Sequence, residues 1–290
     1  MRRVRRLCTI LLALTLGMAV AGLSATQAGA AQAPVGLGTA SSFAVLAGAT
    51  ITNTGPSVIT GGVGLSPGSA ITGFPPGKVN GTIHAADAAA AQAQADVTTA
   101  YNDAAGRSPS ATVSADLGGQ RLLPGVYTGG TLGLTGTLTL DAKGDPQAVF
   151  IFQSASTLIT ASSSNVVMVN GGNACRVFWQ VTSSATLGTN SVFIGTVLAL
   201  TSITANTGAV IFGRLLARNG AVTLDSNKMN RPSCTTGTST TKSTTATTKG
   251  ATANLPRTGP RGVTATSLYA LLAVIAGGMM LVTARRRRIR

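Results

Sequence analysis

The segment from residue 126 to residue 225 alternates apolar and polar positions with a period of two, which is typical of β-strands that bury one side. In its first two predicted strands the inward positions are all leucine: Leu132, Leu134, Leu138 and Leu140. The outward positions are all threonine: Thr131, Thr135, Thr137 and Thr139. Further strands are predicted over the apolar runs 148–152, 166–169 and 177–181. The chain is therefore predicted to be mainly β.

Three four-residue units in this segment, at 157–160, 186–189 and 204–207, each begin and end with threonine and lie in similar surroundings. The last two units are 18 residues apart, and so are Gly195 and Gly213, each of which precedes a similar apolar run. A short self-similar period indicates stacked coils rather than a single globule. Because strands of about 4–6 residues joined by tight turns need little chain, 18 residues suffice for one circuit of a three-sided β-solenoid.

Threonines that recur at the same place in successive coils would form straight columns, with coils roughly 4.8 Å apart. The two predicted columns are Thr157, Thr186 and Thr204, and Thr160, Thr189 and Thr207. The first unit lies 29 residues before the second, with an insertion at 170–175. In a straight strand, residues i and i+3 point to opposite sides. Both columns therefore face outward only if the strand bends between them.

One segment departs from the strand pattern and predicts a helix of about 20 residues, from about His84 to Ala105. Its apolar positions recur every fourth residue: Ala89, Ala93, Val97 and Tyr101. Such spacing gives a helix one apolar face, and Gly106 is a suitable residue to end it. We expect this helix to lie along the solenoid.

The two ends of the chain account for most of its formal charge of +15. Residues 1–30 have four arginines, an apolar run and a small-residue site, and are predicted to be a secretory signal peptide that removes Cys8 on cleavage. Between 31 and 234 nine Lys or Arg face seven Asp, which leaves a charge of only about +2. With few aromatic residues as well, this composition argues against nucleic-acid binding.

The C-terminal segment 255–290 resembles the cell-wall sorting signal of Gram-positive surface proteins. It contains the pentapeptide LPRTG at 255–259, an apolar stretch at 263–284 long enough to span a bilayer, and five terminal arginines. The resemblance implies that a sortase cuts between Thr258 and Gly259 and joins Thr258 to peptidoglycan. The membrane would then hold only the precursor. The alternative is an ordinary single-pass membrane anchor.

Residues 235–254 consist almost entirely of Thr, Ser, Gly, Ala and Lys, which predicts a solvated stalk. The folded domain is then 31–234, secreted and attached to the cell-wall surface. It retains Cys175 and Cys234, and an even pair outside the cell favours a disulfide. With one histidine and no neighbouring cysteines, we expect no metal site and no cofactor.

Eight short motifs resemble those of the widespread microbial ice-binding proteins that have a discontinuous β-helix. They are FAVLAG at 43–48, TNTGP at 52–56, LSPG at 65–68, ITGFPPG at 71–77, AQAQAD at 91–96, LPGVY at 123–127, VFWQV at 177–181 and LALTSIT at 198–204. The resemblance covers about 35–230. It implies a right-handed, roughly triangular β-helix whose N- and C-terminal parts stack out of sequence order, with one α-helix alongside.

Members of that family adsorb to ice, so the resemblance implies that the partner of this protein is the ice surface. We expect the protein to be a monomer. Their ice-binding face often carries a Thr-Ala/Gly-x-Thr/Asn pattern, which 128–131 and 204–207 match, whereas the units at 157 and 186 have leucine in second place. The expected ice-binding residues are Thr128, Thr131, Thr157, Thr160, Thr186, Thr189, Thr204 and Thr207.

Two other classes of function remain open from the sequence. A β-helix enzyme acting on polysaccharides needs clustered carboxylates, for which Asp141, Asp145 and Asp225 are the candidates in the coil region. These residues lie beside glycine, proline or asparagine, as structural turn residues do. A surface adhesin or structural wall protein that does not bind ice would carry the same stalk and sorting signal. We expect no enzymatic activity.

Overall fold

Parallel pairing of short strands organises residues 32–234, the part of the chain that the computed structural model describes. These residues form 22 strands in one sheet of fifteen and one of seven. The larger sheet bends around a corner, so that the chain winds into a solenoid with three faces. The predicted mainly β fold is confirmed.

The seven-stranded face consists of short strands, most of them three residues long. In spatial order they are β5 (Ala70–Thr72), β2 (Thr50–Thr54), β21 (Val222–Asp225), β19 (Ile203–Ala205), β17 (Ala185–Leu187), β14 (Leu158–Thr160) and β11 (Leu132–Leu134).

The helix face is the part of the larger sheet on which the α-helix packs. Its strands are β7 (Ile83–Ala85), β4 (Gly62–Leu65), β1 (Phe43–Ala47), the second halves of β20 (Val210–Ala217) and β18 (Val192–Ala199), β16 (Val177–Val181), β13 (Phe150–Ser154), β10 (Gly125–Gly129) and β8 (Ala111–Thr112).

The open face is the remainder of the larger sheet. Its strands are β6 (Lys78–Asn80), β3 (Val58–Thr60), β22 (Lys228–Asn230), the first halves of β20 and β18, β15 (Asn165–Val169), β12 (Thr137–Asp141) and β9 (Arg121–Leu122). The corner between the open and helix faces lies at the paired glycines Gly195 and Gly213. A Cβ on Gly213 would lie 1.7 Å from the Gly195 carbonyl oxygen, so the coils can approach there only without a side chain.

The coils are not stacked in the order of the sequence. β21 and β22 come from the C-terminal end of the domain, and β1 from its N-terminal end completes their level by pairing with β20. The next level contains β2, β3 and β4, and the last contains β5, β6 and β7. This is the discontinuous β-helix that the sequence resemblance implied.

Two apolar clusters hold the domain together. Inside the coils, aromatic rings from four successive levels stack, with ring centroids 5.5 Å apart for Tyr127 and Phe152, 4.0 Å for Phe152 and Trp179, and 5.1 Å for Trp179 and Phe193. The Trp179 indole N–H donates to the Ile194 carbonyl at 3.0 Å, which satisfies its polar group. The second cluster fills the space between the helix and the helix face.

Helix α1 spans Ala88–Gly106, and Asp87 caps it by accepting a hydrogen bond from the Ala90 amide at 2.9 Å. The predicted start at His84 is wrong, because Ile83–Ala85 forms strand β7. The buried side of α1 is Ala90, Ala93, Val97, Ala100, Tyr101 and Ala104. Ala89 is therefore exposed, and the predicted apolar face is shifted by one position at its first turn.

The two ends of the described domain are fastened to its body. Before β1, a short 3-10 helix at Gly38–Ser42 is held to α1 by the Asp96 carboxylate, which accepts from the Thr39 amide at 2.7 Å and from its hydroxyl at 2.6 Å. After β22, the chain reaches Cys234, which forms a disulfide with Cys175. The predicted disulfide is confirmed.

Several predicted segments lie outside the described residues: the signal peptide 1–30, the stalk 235–254, and the sorting signal 255–290 with its apolar stretch 263–284 and the cleavage site at Thr258 and Gly259. Within 32–234, no helix is both long enough and apolar enough to span a membrane.

Candidate functional site

Five threonines lie in register across five adjacent strands of the seven-stranded face. In spatial order this threonine ladder is Thr186, Thr204, Thr223, Thr52 and Thr72. Each is the direct strand partner of the next, and all five side chains are exposed or half-buried. Four steps between coils of roughly 4.8 Å make the ladder about 19 Å long.

The local sequence explains why these threonines point outward. In β19, Ile203 and Ala205 are buried on either side of Thr204, and in β21 Val222 and Leu224 are buried on either side of Thr223. A strand of three residues with apolar ends can place only its central side chain outside. β-branched threonine suits that position because it favours extended backbone and restricts χ1.

Strand β2 is longer and widens the exposed array. It presents Thr50, Thr52 and Thr54 to solvent and buries Ile51 and Asn53. The Asn53 side-chain amide donates to the carbonyls of Gly55 and Gly73, both at 2.9 Å, and so holds the turns that follow β2 and β5. The outward threonines of β2 therefore stand on a backbone that is fixed from inside.

Beyond Thr186 the ladder continues without threonine. Ile159 in β14 is the partner of Thr186, and Gly133 in β11 is the partner of Ile159. Ile159 is 50% exposed, which makes it one of the few large apolar side chains on the surface of the described residues. The polar array thus occupies five of the seven levels of this face.

A shorter second row runs along one edge of the same face. The Asn190 amide donates to the Thr207 carbonyl at 2.9 Å, which places Thr189 beside Thr207 in the next coil. The Thr207 hydroxyl donates to the Asp225 carboxylate, and Asp225 is the strand partner of Thr54. The row is therefore Thr189, Thr207, Asp225 and Thr54.

The two predicted columns are each wrong in their first member. Thr186 and Thr204 are neighbours, but their partner in the upstream coil is Ile159, so Thr157 lies two positions away from that column. Thr160 is buried, and its hydroxyl accepts from the Gly188 amide at 2.8 Å instead of facing solvent. The physical reason is that the upstream coil is 27 residues long, not 29, since Ile159 rather than Thr157 pairs with Thr186.

The pair at 128–131 divides between two faces. Thr128 belongs to β10 on the helix face, where its strand partner is Gln153, and it does not lie on the seven-stranded face. Thr131 is exposed and enters the seven-stranded face at its β11 end, beside Thr157. The eight predicted residues therefore form three neighbouring pairs, with Thr128 and Thr160 elsewhere.

Three members of the threonine ladder were not predicted from the sequence. Thr223, Thr52 and Thr72 lie outside the repeated Thr-x-x-Thr units, and two of them come from the N-terminal part of the domain. A local signal was present: four ladder threonines directly follow a β-branched aliphatic residue, in the dipeptides at 51–52, 71–72, 203–204 and 222–223. That signal marks an inward-outward step in a strand, but it does not reveal which coils are adjacent.

The seven-stranded face carries little charge. Its strands contain no lysine or arginine, and Asp225 is their one charged residue. A second carboxylate, Asp116, lies beyond the β11 end, where a bridge joins it to Gly133. Hydrogen bonds from the Thr135 hydroxyl, the Gly118 amide and the Thr135 amide lower the pKa of Asp116 from its usual value, so it is an anion at neutral pH.

The open face differs in charge and shape. Its exposed strand positions include Lys78, Lys228 and Arg121. Phe212 also projects from it, beside a depression of about 350 Å³ that Val58 and Val210 line as well. The helix face is covered by α1. Of the three faces, the seven-stranded one therefore carries mostly small side chains, with Asp225 as the one charged residue of its strands.

The carboxylates considered for catalysis are each engaged in local structure. Asp141 accepts from the Lys143 amide at 2.9 Å and from the Arg121 guanidinium at 2.7 Å. Asp145 accepts from the Gln147 amide at 2.7 Å, and Asp225 from its neighbours Thr207 and Ser226. Within 32–234, no three His, Cys, Asp or Glu side chains lie close enough together to hold a metal ion.

Comparison with known proteins found a matching family model and several relatives of similar sequence. A family model described as Ice-binding-like matches residues 45–230. A protein of Nostoc sp. (strain HG1) named "Ice-binding protein" is 55% identical over 217 residues, which cover 73% of this chain and 80% of that protein. One from Colwellia sp. with the same name is 36% identical over 216 residues, covering 68% and 84%.

Two solved structures match the described domain. The crystal structure of an ice binding protein from an Antarctic biological consortium has 52% identity and a TM-score of 0.68, and the match covers 69% of this chain and 91% of that one. The ice-binding protein of the Antarctic ascomycete Antarctomyces psychrotrophicus has 44% identity and a TM-score of 0.68, covering 69% of this chain and 100% of that one.

Proposed function

Because the chain belongs to the ice-binding-like family, we propose that it binds ice through the seven-stranded face. The single observation that carries the proposal is the ladder of five threonines in register, one per coil. Ice presents neither charge nor pocket to a protein. A binder therefore needs a rigid, flat and regularly spaced surface, and the ladder supplies a regular spacing on hydrogen-bonded strands.

Threonine has the chemistry that such a surface needs. Its hydroxyl can donate one hydrogen bond and accept others, so it can join a water lattice. Its methyl group limits the arrangements open to neighbouring water, and its branched Cβ fixes χ1. Paired strands hold the hydroxyls at a constant spacing. The hydroxyls therefore order the adjacent water before the protein contacts ice. Less entropy is then lost on contact.

The other two faces lack this combination. The open face carries lysines and a projecting phenylalanine, and a hydrated ammonium group imposes its own water structure. The helix face is covered. Two residues depart from the threonine pattern of the proposed face. They are Asp225, a carboxylate, and the apolar Ile159, which lies beyond Thr186 at the sixth of the seven levels counted from β5.

We further propose that the domain acts outside the cell, displayed on the wall. The support is in the sequence: the signal-type N-terminus, the Thr/Ser-rich stalk, and the LPRTG pentapeptide with its apolar stretch and arginines. A sortase would join Thr258 to peptidoglycan, so the face would be held away from the cell. The expected role is adhesion to ice or control of ice growth around the cell.

The ice test uses residues 32–234 expressed alone. This segment contains both apolar clusters and the disulfide, and the solved Antarctomyces relative consists entirely of the matched part. The measurement is the protein fraction that partitions into slowly growing ice. Thr223→Tyr places a ring above the middle of the ladder and keeps neighbouring threonines from the ice. We expect the affinity of the domain for ice to fall about ten-fold, which corresponds to a loss of about 1.4 kcal/mol of binding free energy.

The matched control is Thr60→Tyr, since Thr60 is an exposed strand threonine on the open face. It should partition as the unchanged domain does. Equal partitioning of all three proteins would reject this face as the ice contact. A domain that stays wholly in the liquid would reject ice binding itself.

Wall attachment has a separate test on the full chain in a Gram-positive host that has a sortase. Thr258→Ala should move the protein from the wall fraction, released by a peptidoglycan hydrolase, into the membrane fraction. Unchanged release by the hydrolase would contradict sorting at this site without bearing on ice binding.

A further inference from the structure

Arg214 is a buried cation on the helix face with no acidic partner. Its side chain is 1% exposed. The Nε and Nη2 atoms donate to the Ser41 carbonyl, both at 3.1 Å, and Nη2 also lies 3.4 Å from the Cys234 sulfur. These acceptors are neutral. Burial of a charge is costly unless an opposite charge or a full set of hydrogen bonds compensates it.

A second guanidinium approaches the same carbonyl. Arg231 Nη1 donates to the Ser41 oxygen at 3.3 Å. Burial and, to a smaller extent, the nearby charge of Arg231 together lower the pKa of Arg214 to about 10. Arg214 nevertheless keeps its charge at neutral pH. Two cations therefore meet at one neutral oxygen atom, and their mutual repulsion is uncompensated.

No aspartate of the described domain forms an ion pair with Arg214 or Arg231. It contains seven aspartates and no glutamate, and all seven lie within the described residues: Asp87, Asp96, Asp103, Asp116, Asp141, Asp145 and Asp225. The ion pairs formed among residues 32–234 are His84 with Asp87, Arg107 with Asp103, and Arg121 with Asp141. A negative charge in contact with this pair would therefore come from solution.

Three buried polar atoms of Arg214, Arg231 and Thr196 also lack a hydrogen-bond partner within the described residues. They are Arg214 Nη1, Arg231 Nε and the hydroxyl oxygen of Thr196, each buried within the described domain. Thr196 is the direct strand partner of Arg214. Two of the three atoms are charged N–H donors, and the hydroxyl can donate as well. Unpaired donors beside a net positive charge are what an anion binds.

We propose that the domain binds a small inorganic anion, chloride in solution, between Arg214 and Arg231. A monoatomic ion suits the position because the donors are buried and would enclose little space. The ion would connect the N-terminal segment at Ser41 with the C-terminal tail at Cys234. It would thus stabilise the junction where the two ends of the domain meet.

The test compares thermal unfolding of residues 32–234 in sodium chloride and in sodium gluconate at equal ionic strength. Gluconate is too large for an enclosed site, so only chloride should raise Tm, and the rise should saturate. At about 100 times Kd the shift for a domain of this size is expected to be about 5–10 °C. Equal Tm values in the two salts would overturn the proposal.

Two further measurements locate the ion. Arg214→Met, which keeps the length of the side chain, should abolish the chloride dependence, whereas Lys228→Met, an exposed cation on the open face, should retain it. Crystals of the unchanged domain soaked in bromide should show an anomalous peak within contact of Arg214 Nη1. If Arg214→Met does not fold, the bromide experiment decides alone. A chloride effect that persists in Arg214→Met, or a water in place of bromide, would refute the site.

Discussion

Thr52 and Thr223 are direct partners in adjacent parallel strands, although one lies near the start of the described chain and the other near its end. Their pairing is the point at which the N-terminal coils join the C-terminal ones. It turns two shorter rows of threonine into one ladder of five. The proposed ice contact therefore depends on a junction between distant parts of the chain.

Extending the ladder should strengthen ice binding. Ile159→Thr would add a sixth threonine in register, next to Thr186. An added hydroxyl that contributes about 0.5 kcal/mol would lower the concentration for half-maximal inhibition of ice recrystallisation about two-fold. Because Ile159 is half exposed, its replacement should change the free energy of unfolding by no more than about 0.5 kcal/mol. Weaker inhibition by a variant of unchanged Tm would contradict the proposed face.

Removing the negative charge of Asp225 at the edge of the seven-stranded face should also strengthen ice binding. Asp225→Asn keeps an oxygen that can accept from the Thr207 hydroxyl but removes the hydrated carboxylate. We expect stronger recrystallisation inhibition by Asp225→Asn. Asp145→Asn is the matched control, because Asp145 lies exposed in a turn after β12, away from this face. The same change in both variants would mean that net charge, and not the face, is responsible.

The disulfide should stabilise the domain without taking part in ice contact. Replacing Cys175 and Cys234 by serine opens a link between residues 59 apart in sequence. The expected cost is about 2–5 kcal/mol of unfolding free energy, which lowers Tm by about 5–15 °C. Thermal unfolding with and without a reductant measures it, and reductant should have no effect on the double variant. Ice partitioning below Tm should be unchanged.

Asp141 should make stability depend on pH in acid. Hydrogen bonds from the Lys143 amide, the Asn170 side chain and the Arg121 guanidinium hold its pKa below the ordinary value of 3.8. A carboxylate with a depressed pKa stabilises the fold fully above its unfolded pKa and loses that contribution as pH falls towards its folded pKa.

The measurement for Asp141 is the Tm difference between the unchanged domain and Asp141→Asn. The difference should be constant between about pH 5 and 7 and should narrow as pH falls below about 4. Asp145→Asn controls for the loss of one carboxylate. A Tm difference that increases as the pH falls would contradict the hydrogen bonds assigned to Asp141.

Much of the local structure followed from the sequence. The leucines at 132, 134, 138 and 140 are buried as predicted, and strand β16 occupies the predicted run 177–181. The 18-residue period is the true spacing between β18 and β20, where Thr196 pairs with Arg214. Helix α1 ends at Gly106. These features depend on period, propensity and turn residues, which act over a few positions.

The errors in the two predicted threonine columns have one cause. Thr160 and Thr189 hold the same position in the Thr-x-x-Thr units, but Thr160 is buried and Thr189 is half-buried at the edge of the seven-stranded face. Because side chains alternate along a strand, a difference of one or two residues in coil length moves the whole pattern to another column or to the other side. The spacing of residues in the sequence does not by itself give the length of the coil that contains the insertion at 170–175.

The sequence by itself determined that this protein is a stack of threonine-bearing coils with one helix, since periodicity and residue type control which side chains are buried. Only the tertiary structure decided which threonines share a surface. Thr52 and Thr72 belong to the ladder because β1 completes the level of β21 and β22 and so brings β2 next to β21. A pairing between the two ends of the domain has no local sequence pattern that would predict it. Register and the order of stacking come from backbone hydrogen bonds between distant strands, which no short stretch of sequence specifies.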